Sequence, residues 1–259
     1  MKSHAKLITA IIALFLVSIC GSAFAADNSL KKVKDKGTLV VGFCAAYPPF
    51  ESRNEKTGKF EGFDVDLGAA LAKQLGVKVE YRDAEWPGLI AGVNKGDFDV
   101  LVTCMSRSEA RGKNVNMSDT YYKDSDVIAV RKGDDSIKTE ADLKGKIVGV
   151  QLGSSAEQAL DKVKGVKAIH KYNYNPEAFL DLQNKRIDAV AIGYAYAVMQ
   201  SKTSKGLYQV VGQIGDKTDI VMVLTKGADQ LTLALNKSLK TIRGNGTYNA
   251  LVKKWLSVN

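Results

Sequence analysis

The sequence predicts an α/β fold of two lobes, each a mostly parallel sheet flanked by helices, with the chain crossing between the lobes twice. Three observations carry this reading. Apolar, β-branched runs alternate with amphipathic helical patterns, the pattern of βαβ units. One such unit is used twice: Pro87 and Pro176 each precede a short helical pattern, and Asp99 and Asp188 each open an apolar run. Both pairs stand 89 residues apart, with Val93 and Leu182, and Phe98 and Ile187, in the same register. Two extended stretches, residues 125–130 (SDVIAV) and 219–225 (DIVMVLT), stand before and after the second round and provide the two crossings of a hinge.

Taken in order, residues 1–25 read as a secretory signal peptide: Lys2 and Lys6 precede an apolar run, and Ala23 and Ala25 supply the small residues of a cleavage site. The run from Leu7 to Cys20 is about 14 residues, short for a bilayer span. Ile19 in front of Cys20 argues against lipid anchoring. Residues 37–44 (GTLVVGFC) read as the first strand. Residues 64–76 (DVDLGAALAKQLG) read as a helix with acids in its first turn and Gly76 past its end. A second strand (77–83), a short helix (87–96) and a third strand (98–103) complete the first round. The second opens at Gly145, where GKIVGVQLGSS runs from a strand into a Gly/Ser turn and SAEQALDKV follows as a helix. Two helical patterns near the C-terminus, residues 231–243 and 247–256, read as packing helices rather than a third lobe. The expected division is residues 26–128 with 222–259 for lobe 1 and 129–221 for lobe 2.

The formal net charge is +9, and the expected leader removes two lysines and no acid, so the processed chain stays basic. Its lysines are spread along the chain without an arginine run or an aromatic-basic repeat, which argues against nucleic acid as a partner. No later stretch approaches 18 apolar residues, so the processed chain is expected to be soluble. His170 is the one histidine past the leader, which excludes a multi-histidine metal site and disfavours a histidine-based catalytic triad. No cofactor is expected. Cys44 and Cys104 enter an oxidising compartment, which permits a disulfide.

The segments YPPFE (47–51), FEGFDVDLGAALAKQLG (60–76), WPGLI (86–90), SRSEARGKNVNMSDTYY (106–122) and GNGTYNALVKKW (244–255) together resemble the polar amino-acid-binding proteins of bacterial ABC importers, the extracellular solute-binding proteins of family 3. The resemblance spans about residues 30–256. It implies a type II periplasmic-binding-protein fold, a periplasmic monomer that closes on a small amino-acid-like carboxylate, and an ABC permease of the inner membrane as partner. It places the ligand's α-carboxylate on Arg111, whose planar fork of donors suits that group. The backbone of Gly153, Ser154 and Ser155, between a strand and a helix, would form a second clamp. Tyr47 and Trp86 match the aromatic walls of the ligand site. The backbone of Thr103 and Cys104, with the Ser106 hydroxyl, would meet its polar end.

Two positions depart from the family. Relatives that bind free α-amino acids place an aspartate for the ammonium where this chain has Gly193. Either another acid substitutes, or the ligand's nitrogen is modified or absent, with Tyr194 and Tyr196 forming an aromatic cage or simply packing. Cys44 stands where relatives carry a side-chain-selecting group. With Cys104 as its expected sheet neighbour, a disulfide on the pocket floor is favoured over two buried thiols. Some relatives, the cyclohexadienyl dehydratases, use the cleft for catalysis. They place a glutamate near Tyr196, and this chain has none there, so binding is expected rather than reaction.

Overall fold

The computed structural model describes residues 27–257. The signal peptide expected over residues 1–25 lies outside them. The first lobe opens with α1 (Ser29–Lys36) and β1 (Thr38–Phe43), followed by a small antiparallel sheet of β2 (Ala46–Tyr47), β3 (Glu51–Arg53) and β4 (Phe60–Glu61). Next come α2 (Phe63–Leu75), β5 (Lys78–Asp83), a 3₁₀ turn at Trp86–Gly88, α3 (Leu89–Lys95), β6 (Val100–Leu101) and α4 (Glu109–Gly112). The long β7 (Val115–Arg131) carries the chain across. In the second lobe follow β8 (Ile147–Gln151), α5 (Ser155–Leu160), β9 (Ala168–Tyr172), α6 (Asn175–Gln183), β10 (Ala189–Gly193) and α7 (Tyr194–Thr203). The return crossing is β11 (Tyr208–Thr225), and α8 (Asp229–Gly244) and α9 (Thr247–Trp255) end the described chain.

The sheet order is β5-β1-β6-β11-β7-β10-β8-β9. In each lobe the three parallel strands lie in the order second, first, third, with an antiparallel crossing strand beside the third. The two sheets are not separate. At 17 and 18 residues, β7 and β11 are long enough to serve both lobes, and their mutual pairing fuses the sheets edge to edge. That ladder loses register between Gln213 and Lys217, opposite Val127 and Ser125.

The repeat read from the sequence has a structural basis. The Asp99 N–H donates to the Val40 carbonyl at 2.9 Å while its Oδ2 accepts from the Val40 N–H at 2.7 Å. Asp188 does the same to Ile147, at 2.8 Å in both directions. Each aspartate thus ties the start of its own strand to the neighbouring parallel strand. Val93 and Leu182 both fall in the core.

Each lobe keeps a core on both faces of its sheet. In lobe 1, Phe43, Phe63, Leu67 and Leu71 pack against Leu235, Leu239 and Ile242 of α8, so the C-terminal segment contributes to that core. Each fully buried leucine or isoleucine there stabilises the fold by about 1.5–3 kcal/mol. The opposite face packs Leu89, Val93 and Phe98. Lobe 2 divides likewise, with α6 and α7 on one face and α5 on the other.

Candidate functional site

The carboxyl ends of the parallel strands in both lobes face one cleft, the usual ligand position in open α/β sheets. A cavity there, open to solvent, spans ≈ 480 Å³ of atom-free space with that solvent included. Cys44, Tyr47, Trp86, Cys104, Ser106, Ser154, Ser155 and Gly193 all line it. The structure therefore brings these predicted residues together from segments far apart in the chain. Arg111 and Gly153 stand at its border. Arg111 is 8% exposed; its Nη1 donates to the carbonyl and the hydroxyl of Ser106 at 2.7 Å each, and its Nη2 donates to the Gly153 carbonyl across the cleft at 2.5 Å. Its guanidinium carbon lies 5.8 Å from the Trp86 ring centroid. Burial lowers the Arg111 pKa to about 10, with Asp126 opposing that shift, so the group stays cationic at neutral pH.

Three polar lining residues are absent from the sequence reading: Asp126, Gln151 and Asn175. Asp126 is 6% exposed and sits on β7, paired in register with Gly193 of β10. Burial pushes its carboxyl up to about 6, while the Ser155 side chain and Arg111 pull the other way. Arg111 and Asp126 sense each other's charge without forming an ion pair within 4.0 Å. The available signal was an acid inside an apolar crossing strand and a glutamine ending another apolar strand.

A side chain at position 193, where the resemblance leads one to expect an aspartate, would meet two neighbouring side chains. A Cβ there would stand 2.4 Å from the Tyr47 Oη and 2.7 Å from an Asp124 carboxylate oxygen. Asp124 faces the backbone N–H groups of Ser125, and of Tyr194 and Ala195 in the first turn of α7, where a negative charge is favoured. Burial still raises it to about 6.

The aromatic cage considered for Tyr194 and Tyr196 does not form. Tyr194 is 43% exposed and outside the cavity, while Tyr196 is fully buried in the lobe 2 core and stacks on Tyr47. The glycine-serine clamp is also only partly available. The Gly153 N–H donates to the Glu157 carboxylate, and the Ser154 N–H donates to the Gln151 carbonyl at 3.2 Å. Gly153 therefore offers its carbonyl to Arg111 rather than its amide to the cleft.

The disulfide favoured from the sequence is absent: Cys44 and Cys104 are free thiols. The register explains it. Gly42 of β1 pairs with Leu101 of β6, which sets Cys44 level with Thr103 and one residue out of step with Cys104. The two side chains consequently pack on opposite faces, Cys44 with Leu89 and Val93 and Cys104 against the cluster holding Phe63 and Tyr121.

Behind the floor lies a buried pair of acids. The Thr103 hydroxyl donates to Glu51 Oε1 at 2.8 Å, and Asp64 Oδ2 accepts from the Tyr121 hydroxyl at 2.8 Å and from the Cys104 N–H at 2.6 Å. Burial raises both carboxyls, Asp64 to about 7 and Glu51 well above its usual value, the latter also through Asp64. These acids hold the Thr103–Cys104 backbone in place, including Cys104 at φ 47°. Among the described residues, no helix is long and apolar enough to cross a membrane and no group of three or more His, Cys, Asp or Glu is placed to hold a metal.

The sequence model of "Bacterial extracellular solute-binding proteins, family 3" matches residues 39–258. The chain is 34% identical to the L-cystine-binding protein TcyJ of Escherichia coli (strain K12) over 92% of this chain and 89% of that one. Its fold is similar to an ancestral arginine-binding protein bound to arginine, with a TM-score of 0.82 and 40% identity over 85% of this chain and 99% of that one. A mutant of ArgBP from T. maritima gives a TM-score of 0.83 and 32% identity over 89% and 100% of the two chains.

Proposed function

The chain belongs to family 3 of the bacterial extracellular solute-binding proteins, and from that premise we propose that it captures a zwitterionic α-amino acid between its lobes, with the α-carboxylate on Arg111 and the α-ammonium on Asp126. It is a binding protein rather than an enzyme. In this reading it works in the periplasm, after removal of the leader, and hands its ligand to an ABC permease of the inner membrane.

One observation carries the assignment: a buried cation and a buried anion share one cleft without pairing in direct contact. An α-amino acid brings the opposite charges, held a few ångströms apart on one carbon. Each buried charge alone costs several kcal/mol, and a zwitterion offsets both at once. The guanidinium has five N–H donors, and its bonds to Ser106 and Gly153 use three of them. The others remain for a carboxylate. Asp126 thereby supplies an acid where position 193 has none, and Asp124 beside it faces the backbone at the start of α7.

Tyr47 and Trp86 on lobe 1 and Ser154 and Ser155 on lobe 2 would wall the ligand. Contacts made to both lobes favour the closed form over an open one, which is what drives closure. The division near residues 128 and 221 fits this motion, since the β7–β11 ladder loses register close by.

Thermal unfolding against free α-amino acids, their N-acetyl derivatives and their amine-free analogues tests the reading, because a ligand of the native state raises its stability. Stabilisation confined to free α-amino acids, and lost in both Arg111→Ala and Asp126→Asn, is the expected result. Equal stabilisation by N-acetyl or amine-free carboxylates would remove Asp126 from its role.

A further inference from the structure

The cavity is also lined by Gln151, the last residue of β8, and Asn175, the first of α6. Both are buried, 6% and 1% exposed. They form a short relay: Gln151 Nε2 donates to the Asn173 carbonyl at 2.9 Å, and Asn175 Nδ2 donates to Gln151 Oε1 at 3.1 Å. The Asn175 Oδ1 at the end of the relay is buried without a hydrogen-bond partner.

The polarity of this relay is fixed by its backbone end. A carbonyl only accepts, so Gln151 must turn its NH₂ toward Asn173 and its oxygen toward Asn175. Asn175 must then give its NH₂ to Gln151, which leaves its oxygen as a lone acceptor. Reversing both amides would set the Gln151 oxygen against the Asn173 carbonyl. A buried acceptor without a partner destabilises the fold, so such a group marks a place that a ligand donor would satisfy.

The charge of that donor follows from its neighbours. Among the residues lining the cavity, Asp126 is the one carboxylic acid, and the reading above gives it to the α-ammonium. The Cys44 thiol at this end stays protonated, since burial pushes it up to about 12. Glu51 is engaged by Thr103 behind the floor. Asp83 and Glu85 stand nearby but outside the lining, Asp83 accepting from the Ala45 N–H at 2.8 Å and Glu85 from the Asn173 side chain at 3.2 Å. A cationic side chain would therefore meet no other carboxylate of the lining here, and a carboxylate would set acceptor against acceptor. We infer that Asn175, oriented by Gln151, selects an amino acid whose side chain ends in an uncharged hydrogen-bond donor such as an amide or hydroxyl. This rests on the head-group assignment to Arg111 and Asp126.

The test is calorimetric titration of the ligand-stripped protein with the near-isosteric set L-glutamine, L-glutamate and L-methionine, the shorter set L-asparagine, L-aspartate and L-leucine, and L-lysine. The amide of the better-fitting set is expected to bind at least tenfold more tightly than its apolar partner and at least a hundredfold more tightly than its carboxylate partner or lysine. Asn175→Leu should bring the amide and apolar ligands within about threefold of each other. If that variant unfolds, Gln151→Met with Asn175→Leu removes the whole relay and leaves no orphaned amide, and should give the same levelling. Free amino acids that bind through Asp126, yet with glutamate, lysine or the apolar member equal to the amide, would overturn this inference and leave the head-group reading standing. Binding by none of the free amino acids would overturn both.

Discussion

Tyr47 of lobe 1 stacks on Tyr196 of lobe 2, ring centroids 4.6 Å apart and planes 19° apart, and the Tyr47 hydroxyl occupies space that a Cβ at Gly193 would need. The glycine at 193 and the inter-lobe stack are therefore one feature. Gly193 has φ −60° and ψ 141°, open to any residue, so the constraint is steric and not conformational. Gly193→Ala should destabilise the protein by about 1–3 kcal/mol, read as a melting temperature lower by roughly 2–10 °C. Tyr47→Phe removes the clashing oxygen, and the double variant should recover part of the loss. Strict additivity in that cycle would contradict the account.

Arg111→Ala should weaken amino-acid binding by roughly 30–150-fold, the equivalent of about 2–3 kcal/mol for charge-assisted hydrogen bonds lost to a carboxylate. Arg111→Lys should recover little of it. An ammonium keeps the charge but cannot hold Ser106, reach the Gly153 carbonyl and fork to a carboxylate together. Titration calorimetry on both variants decides this, and near-native affinity for the lysine variant would rule out a bidentate role.

The pH response separates ligand affinity from fold stability. Asp126 in the ligand-free fold is raised to about 6 from 3.8, chiefly by burial. The folded state thus holds its proton more tightly than the unfolded chain, so ligand-free stability rises as pH falls from about 6 toward 4. Binding an ammonium requires the ionised form, so affinity should move the other way, falling toward a limit of tenfold per pH unit below about 6. Asp124, raised to a similar value nearby, titrates with it. In Asp126→Asn the affinity should be weaker at pH 7 and nearly flat down to pH 5, and an unchanged slope would move the effect to Asp124.

How much of this was legible in the sequence depended on what kind of signal each residue carries. Strand alternation and the 89-residue spacing exposed the lobes because periodicity is local, and Asp99 and Asp188 turned out to do identical work. Arg111, Tyr47 and Trp86 came from motif resemblance. Asp126 did not, because its place in the cleft depends on pairing β7 with β10, a register that no local pattern states. Asn175 and Gln151 were hidden likewise, since neither means anything until α6 and β8 bring them together. The cysteine pairing went wrong over a single residue of register, the smallest error a strand alignment can make.

The absence of the bridge has its own consequence. Cys44 is raised to about 12 by burial, with Glu51 and Asp83 adding to it, and Cys104 is raised by burial and by Asp124. Neither presents a thiolate at neutral pH, and the thiolate is the reactive form. The native protein should therefore alkylate slowly with iodoacetamide at pH 7.5 and both thiols should react promptly in denaturant. A reductant should leave the melting temperature unchanged. A mass lower by two hydrogens in oxidised, unreduced protein would instead reveal a bond between them.

The repeat also predicts an asymmetry between the lobes. A Cβ on Gly42 would lie 2.5 Å from Phe98 Cγ and 2.8 Å from Leu101 Cδ2, while one on Gly149 would lie 2.5 Å from Ile187 Cδ1 and 3.1 Å from the Tyr172 ring. Phe98 and Ile187 hold equivalent places in the two rounds, so both glycines make room for the same repeat position. The obstacles differ in kind. At Gly149 the near atom is the far end of a flexible side chain that can rotate, whereas at Gly42 it is the root of an aromatic ring fixed among Leu89, Val93 and Leu101. Gly149→Ala should cost about 1 kcal/mol and be relieved by Ile187→Val, which deletes the clashing methyl. Gly42→Ala should cost about 3 kcal/mol, toward the upper end of overpacking penalties. Urea midpoints for the three variants settle the order, and a Gly149→Ala protein less stable than Gly42→Ala would contradict it.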